Sequence, residues 1–316
     1  EGAPEQVAAF ERELRANPPA LAVVSRVVGR DVPPTGETGF RIVASQRGEE
    51  RVATVPADAA TCAACRADIL DPANRRYRYP FTNCTHCGPR FTIIKDIPYD
   101  RPMTTMAAFT MCPECEREYH DPADRRFHAQ PNACPACGPS VRLVDAAGRD
   151  LCEPEAWLAE AAARLRAGQI VAVKGIGAFH LACDATDEAA VARLRRVKHR
   201  RHRPFALMAR DLATARLVAE VSPTEERALT SPAAPIVLLR RLADPALPVA
   251  PSVAPGVDTL GIMLPYTPLH ILLLQEAPPL LVMTSGNPSG LPVQYREEEA
   301  LTDLAGLADA FLIHNR

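Results

Sequence analysis

The sequence predicts an α/β multidomain chain in three parts, and three observations carry that reading. Eight of the ten cysteines fall in four Cys-x-x-Cys pairs, the spacing of tetrahedral zinc sites rather than of a disulfide scaffold. From about residue 150, short apolar runs alternate with helical patterns, the rhythm of one α/β domain. The 316 residues are 47% apolar and 23% charged, an ordinary globular composition with room for two or three domains. The same numbers exclude a wholly disordered chain. The longest apolar runs fall short of the roughly 18 residues of a membrane helix, and the N-terminus does not read as a signal peptide. A net charge of −2 argues against a dedicated nucleic-acid binder that relies on global charge. With no initiator Met and an end directly after a strand-like run, the sequence reads as a piece of a longer protein.

Residues 1–55 form the first part. Positions 4–17 read as an amphipathic helix with Val7, Phe10 and Leu14 on one stripe, ended by Pro18 and Pro19. Positions 21–28 and 40–44 read as strands. One helix and two strands do not close a core, so this part is expected to be the tail of an α+β domain.

Residues 56–145 form the second part. The pairs are Cys62/Cys65, Cys84/Cys87, Cys112/Cys115 and Cys134/Cys137, separated by 18, 24 and 18 residues. Two such pairs complete a four-thiolate zinc site, so two structural Zn²⁺ ions are expected, in a reducing compartment where thiols stay free. The segment repeats itself after 50 residues. Asp71-Pro72-Ala73-Asn74-Arg75-Arg76 matches Asp121-Pro122-Ala123-Asp124-Arg125-Arg126. Cys87-Gly88-Pro89 matches Cys137-Gly138-Pro139, and a tight knuckle favours positive φ at both glycines. Pairing within each repeat is expected, with a crossed arrangement of knuckles as the alternative. His86, His120 and His128 are spare, because eight thiolates already fill two sites. The Arg pairs read as solvated loop charges. With few large apolar side chains, metal is expected to substitute for core, so that chelation unfolds this part while the α/β domain survives.

Residues 150–316 form the third part. Helices are expected over 155–167, 187–197, 211–221, 268–274 and 296–305. Strands are expected over 169–174, 205–209, 236–239, 280–284 and 310–313. Ser222-Pro223-Thr224-Glu225 is a capping box with Pro at the first helical position. Three loops could carry chemistry. Lys174-Gly175-Ile176-Gly177-Ala178-Phe179-His180 offers backbone N–H groups to a phosphate, although a tight turn and a core histidine explain it too. Lys198-His199-Arg200-Arg201-His202-Arg203 concentrates charge at a helix end and suits a polyphosphate or RNA, although cations there also complement the helix dipole. Thr284-Ser285-Gly286-Asn287 follows an apolar strand, where polar groups line the crevice of an α/β sheet. Ser285 lacks a nucleophile elbow, and Cys152 and Cys183 read as buried thiols.

Together these residues resemble the HypF family, the carbamoyltransferases of nickel–iron hydrogenase maturation. The four Cys pairs with Asp-Pro-x-x-Arg-Arg and Cys-Gly-Pro in both repeats resemble its zinc fingers. Lys174–Ala185, Arg193–Arg200 and Thr284–Asn287 resemble its YrdC-like domain, with Ala178 where the family usually has Gly. Residues 1–45 resemble the end of its acylphosphatase domain, whose phosphate loop and catalytic Arg and Asn are absent from this sequence, as is the family's C-terminal kinase-like domain. The resemblance implies that carbamate, derived from carbamoyl phosphate, reacts with ATP and Mg²⁺ to give carbamoyl adenylate. The carbamoyl group then passes to the C-terminal Cys of the partner HypE, in the cytoplasm. It places the catalytic roles on Lys198, Arg200, Ser285 and Asn287, and nucleotide contacts on Lys174, Gly175, Gly177, His180, Arg203, Thr284 and Gly286. Two other readings compete. A threonylcarbamoyl-adenylate synthase for tRNA modification shares the two YrdC motifs but not the zinc repeat. A zinc-ribbon nucleic-acid-binding module leaves the Ser-Gly-Asn loop without a purpose.

Overall fold

A computed structural model describes residues 2–18, 21–34, 36 and 55–316. The chain divides into two compact units, Glu1–Ala53 and Thr54–Arg316. In the first, helix α1 (Pro4–Ala16) starts with Pro in its first turn and carries Glu5 near its N-terminus, both favourable there. The strand expected over 21–28 is absent: the segment has no ladder partner among the described residues, and an extended segment without one is not a strand. The strand expected over 40–44 lies outside the described residues.

The second unit opens with the cysteine repeats. Each begins with a short helix, α2 (Ala63–Leu70) and α3 (Pro113–His120), whose N-cap is the first cysteine of its repeat. Both helices stop at an aspartate, Asp71 or Asp121, whose side chain accepts from the N–H two residues on. This Asx turn offers the backbone an alternative to the next helical bond. The 50-residue copy extends to backbone strain, because Arg78 and His128 both have positive φ, at 57° and 52°.

The remaining elements build one eight-stranded mixed sheet. Its strands are β1 (Val141–Val144), β2 (Val171–Lys174), β3 (Phe179–Asp184), β4 (Ala206–Ala209), β5 (Val237–Arg240), β6 (Thr259–Met263), β7 (Leu280–Ser285) and β8 (Ala310–His314). Their order is β1-β8-β2-β3-β7-β4-β6-β5, with β2/β8 and β4/β6 parallel and the other neighbours antiparallel. The helices are α4 (Trp157–Arg166), α5 (Glu188–Val197), α6 (Leu212–Arg216), α7 (Pro223–Leu229), α8 (Pro268–Glu276) and α9 (Glu297–Asp303). The capping box is formed in full at Ser222 and Glu225. Sequence periodicity missed three strands. Gly261 interrupts the apolar pattern of β6, β3 hides in a stretch read as a ligand loop, and β1 precedes residue 150 yet pairs with β8.

Alternation sorts each strand onto two cores. On β7, Leu280 and Val282 face one side, Leu281 and Met283 the other; on β8, Phe311 and Ile313 oppose Ala310 and Leu312. The second core is completed by α4, by α8 and by the finger residues Ile69, Tyr79, Phe81, Ile93 and Met106. Every side chain from Pro268 to Leu274 of α8 is buried. The fingers therefore share a core with one face of the sheet. The expectation that metal simply replaces core in this part is corrected by that packing.

Candidate active site and metal centres

The four-cysteine sets assemble within each repeat: Cys62, Cys65, Cys84 and Cys87 in one, Cys112, Cys115, Cys134 and Cys137 in the other. The sulfurs are 3.6 Å apart between Cys62 and Cys84 and 3.8 Å between Cys84 and Cys87. In the second set the neighbouring separations are 3.7, 3.7 and 3.6 Å. Four thiolates at about 2.3 Å from a tetrahedral ion stand about 3.8 Å apart, so both sets fit Zn²⁺. All ten cysteines are free. Gly88 has the expected positive φ, at +94°, but Gly138 does not. Its constraint is space, since an added Cβ would lie 2.0 Å from the Tyr79 hydroxyl.

The Arg pairs are not solvated loop charges, and this corrects the sequence reading. Arg76 and Arg126 are 2% and 6% exposed. Each pair reaches the other repeat. Arg75 Nη2 donates to Cys115 Sγ at 3.3 Å, and Arg76 grips Glu118 through both Nη atoms, at 3.0 and 2.6 Å. Reciprocally, Arg125 Nη1 donates to Cys65 Sγ at 3.0 Å, and Arg125 and Arg126 both bind Asp68. Four-thiolate zinc carries two negative charges, and each site thus receives cations from the opposite repeat. Although burial opposes it, Arg76 and then Arg75 hold the Glu118 carboxyl down at about 2. The signal was present in the sequence: Asp68 and Glu118 recur at the same offset as the Arg pairs, each three residues after a ligand cysteine. Arg76→Ala is expected to cost about 1–3 kcal/mol, because it removes the buried donor to Ala133 O and Asn132 Oδ1 and leaves the half-buried Glu118 carboxylate to Arg75 alone. It should also speed zinc loss from the second set, followed by transfer to a chromogenic chelator. Wild-type stability and release rate would refute the interlock.

The second centre lies at the C-terminal ends of α5 and β7. Lys198 caps α5; the His199 N–H bonds to Arg196 O, and the Arg200 N–H to Arg195 O, both at 3.0 Å. This is a Schellman turn with His199 in the left-handed position, φ 50°. The turn points the buried Lys198 ammonium inward, where it donates to Ser285 O at 2.6 Å, Asn287 O at 3.0 Å and Asn287 Oδ1 at 3.1 Å. Ser285 Oγ donates to Asn287 Oδ1 at 2.7 Å. Gly286 N–H donates to Phe179 O at 2.8 Å, and a Cβ at Gly286 would sit 2.8 Å from that oxygen, so only glycine lets the loop lie this close to β3. Lys198, Arg200, Arg203, Ser285 and Asn287 line one open cleft of about 690 Å³, with His199, His202 and Ser289. Burial, and then the Arg200 charge, push the Lys198 ammonium down to about 8.

The first glycine loop is placed elsewhere. Lys174 Nζ is held by Glu297 Oε1 at 2.7 Å and His314 O at 3.0 Å. Lys174 and Gly175 line a separate cavity facing the fingers, with Thr61 and Phe81, and Gly177 lies against Thr92. Thr284 is buried. His180 lies on β3 opposite Ser285, but its Nδ1 is buried without a partner, so it is not a satisfied core histidine. Cys183 is fully buried and burial pushes its thiol up, which fits an inert thiol.

Paired four-cysteine fingers packed on a YrdC-like mixed sheet define the class. The family model described as "HypF finger" matches residues 61–94 and 111–144, and the Sua5/YciO/YrdC model described as "Telomere recombination" matches 163–316. Carbamoyltransferase HypF of Rhodobacter capsulatus is 53% identical over 97% of this chain and 40% of its own length. The Methanocaldococcus jannaschii relative, a probable carbamoyltransferase HypF, is 44% identical over 100% and 41%. A solved full-length HypF in its phosphate- and nucleotide-bound form superposes with a TM-score of 0.93 at 48% identity, over 100% of this chain and 41% of that one. The HypF of T. kodakarensis gives 0.87 at 44% identity, over 100% and 40%. This chain belongs to the HypF family. It spans about two fifths of the length of the curated relatives it matches.

Proposed function

We propose that this chain, as part of a carbamoyltransferase, joins carbamate to ATP, giving carbamoyl adenylate and pyrophosphate. A carbamate oxygen attacks the α-phosphorus, the bond from that phosphorus to the bridging oxygen breaks, and pyrophosphate leaves. The observation that carries this reading is the convergence of Lys198, Arg200 and Arg203 with Ser285 and Asn287 on one cleft. Negative charge gathers on the phosphoryl and pyrophosphate oxygens, and preorganised cations and donors there stabilise it. Arg200 and Arg203 line the cleft, with the Arg200 guanidinium held over Phe205 by the Arg203 and Pro204 carbonyls, and their charge fits polyphosphate, with Mg²⁺ as the shared counter-ion. Lys198 acts through the loop, fixing Ser285 and Asn287 by three hydrogen bonds, as well as by its charge. The similarity to a HypF solved with nucleotide and phosphate supports the assignment. The carbamoyl group then goes to the C-terminal Cys of HypE, and the carbamate comes from carbamoyl phosphate, in parts of the protein beyond this cleft. Two zinc ions hold the fingers. The setting is cytoplasmic, which suits free thiols, and among the described residues no helix is long and apolar enough to cross a membrane. Domain limits of 56–145 and 150–316 divide fingers from cleft, with β1 crossing to the sheet.

The deciding experiment is ATP–pyrophosphate exchange with carbamate in one arm and bicarbonate plus threonine in the other. Exchange in the second arm alone would convert the assignment to a threonylcarbamoyl-adenylate synthase. Binding of RNA with neither exchange would favour a nucleic-acid module.

A pH profile tests Lys198 separately. At fixed carbamate concentration, exchange should fall as pH rises through about 8, where the ammonium loses its proton. Unfolding is not the cause. A lysine depressed in the folded state contributes stability above its unfolded value and loses it as pH falls through the folded one. Raising the pH therefore does not weaken the fold through this group. A flat profile from pH 7 to 9.5 would show that the charge of Lys198 is not used.

A further inference from the structure

Beside the phosphate loop, the buried His270 and the half-buried His180 have buried ring nitrogens without hydrogen-bond partners. His180 is the register partner of Ser285 in the β3–β7 ladder, so the two side chains leave the same face of the sheet. That face is covered by α8, whose His270 ring lies 6.0 Å from the His180 ring. His270 is 1% exposed, yet neither of its ring nitrogens has a partner, and Nδ1 of His180 has none either. The Tyr266 ring stands 4.7 Å from that of His270. A polar nitrogen buried in this way costs about 1–3 kcal/mol, and three of them are gathered here. Packing alone would not select this residue, because its neighbours on α8 are Leu269, Ile271, Leu272, Leu273 and Leu274.

We propose that His180 and His270 form the pocket for the small acid, and that they select one carrying both N–H and carboxylate groups, as carbamate does. This rests on the carbamate reading of the cleft. A neutral imidazole offers one N–H donor and one lone-pair acceptor. Two of them can donate to a carboxylate oxygen and accept from the N–H of the same molecule. Simple carboxylates such as acetate lack that donor. The register with Ser285 sets the acid beside the loop that holds the phosphates. Burial pushes the His180 ring down to about 4 and the His270 ring down to about 3, so both are neutral at pH 7. Neutrality protects the substrate. Protonation of its nitrogen releases ammonia and carbon dioxide, and an imidazolium in contact would be the proton source. A water-poor pocket serves the same end.

The test is made on the zinc-loaded chain, with ammonium carbamate as the varied acid in ATP–pyrophosphate exchange. His270→Leu should raise the half-saturating carbamate concentration tenfold or more, the loss of one hydrogen bond to an ionic ligand. Affinity for a non-hydrolysable ATP analogue should stay within about twofold. His270→Asn keeps a donor and an acceptor and should recover part of the loss. An unchanged half-saturation in the Leu variant, with a raised Tm, would show a histidine that is merely packed and would overturn the proposal. If the Leu variant loses zinc or fails to fold, His180→Phe against His180→Asn makes the same comparison. Absence of carbamate-dependent exchange in the wild type would sink the parent reading and this pocket together. Exchange in the wild type with every variant unaffected would sink the pocket alone.

Discussion

Removing both zinc ions is expected to disrupt more than the fingers. A structural zinc contributes ~10–16 kcal/mol of binding free energy to folding, comparable with the ~5–15 kcal/mol total stability of a typical domain. The fingers place Ile69, Tyr79, Phe81, Ile93 and Met106 in one core with Val171, Val173, Met283 and Leu312 of the sheet. Losing them would uncover that face and most of α8. The only tryptophan of the sequence, Trp157, sits in this same core at 9% exposure. Chelation should therefore shift its emission to longer wavelength and lower the Tm of the whole second unit, with about two zinc ions released per chain. An unshifted Trp157 emission in zinc-free protein would mean that the sheet keeps its core without the fingers, as the sequence alone suggested. Cys115→Ser, which leaves the other set intact, should release one zinc and give an intermediate effect, because Arg75 loses the sulfur it donates to.

Replacing Lys198 with alanine is expected to lower carbamate-dependent exchange about 10²-fold or more, with two zinc ions retained. Two effects add. A cation is lost from the cleft, where one preorganised transition-state contact is worth roughly 10²–10³-fold. The ammonium's three hydrogen bonds to Ser285 and Asn287 are also lost, leaving Asn287 O without this donor while Asn287 Oδ1 keeps the Ser285 hydroxyl. Lys198→Arg should rescue little. The pocket is built for a compact ammonium donating to three convergent oxygens, and a planar guanidinium fork does not match that geometry. Ser285→Ala should fall comparably while leaving the loop anchored, since Lys198 binds the carbonyl of residue 285 and not its hydroxyl. Exchange at the wild-type rate in Lys198→Ala would return the basic run to the role of a solvated helix end.

Much of this protein was legible wherever the determining interactions are local. A Cys-x-x-Cys knuckle is set by four residues, so the ligands and their number followed from spacing. The Ser222–Glu225 box and the long strands followed from short-range patterns in the same way. Periodicity failed where Gly261 broke the apolar pattern of an intact strand, β6, or where there was only Val-Arg-Leu-Val to show, as in β1. It read a strand over 21–28 that no ladder supports among the described residues.

What only the tertiary structure decided involves partners far apart in the chain. Pairing of the knuckles within repeats depends on how α2 and α3 seat their cysteines. The exchange of Arg75/Arg76 and Arg125/Arg126 between repeats joins residues about 40–60 positions apart. Sequence placed Lys174, Lys198 and Ser285 in one list of candidates. The fold spent Lys174 on Glu297 and brought Lys198 to Ser285 across 87 residues. His270 carried no motif at all, and its meaning came from facing His180 with neither of its ring nitrogens bonded. The reason is physical. Composition and spacing encode which groups can bond locally. Which buried charge meets which is settled only when the sheet and the fingers close on each other and exclude water, where an unpaired group becomes costly.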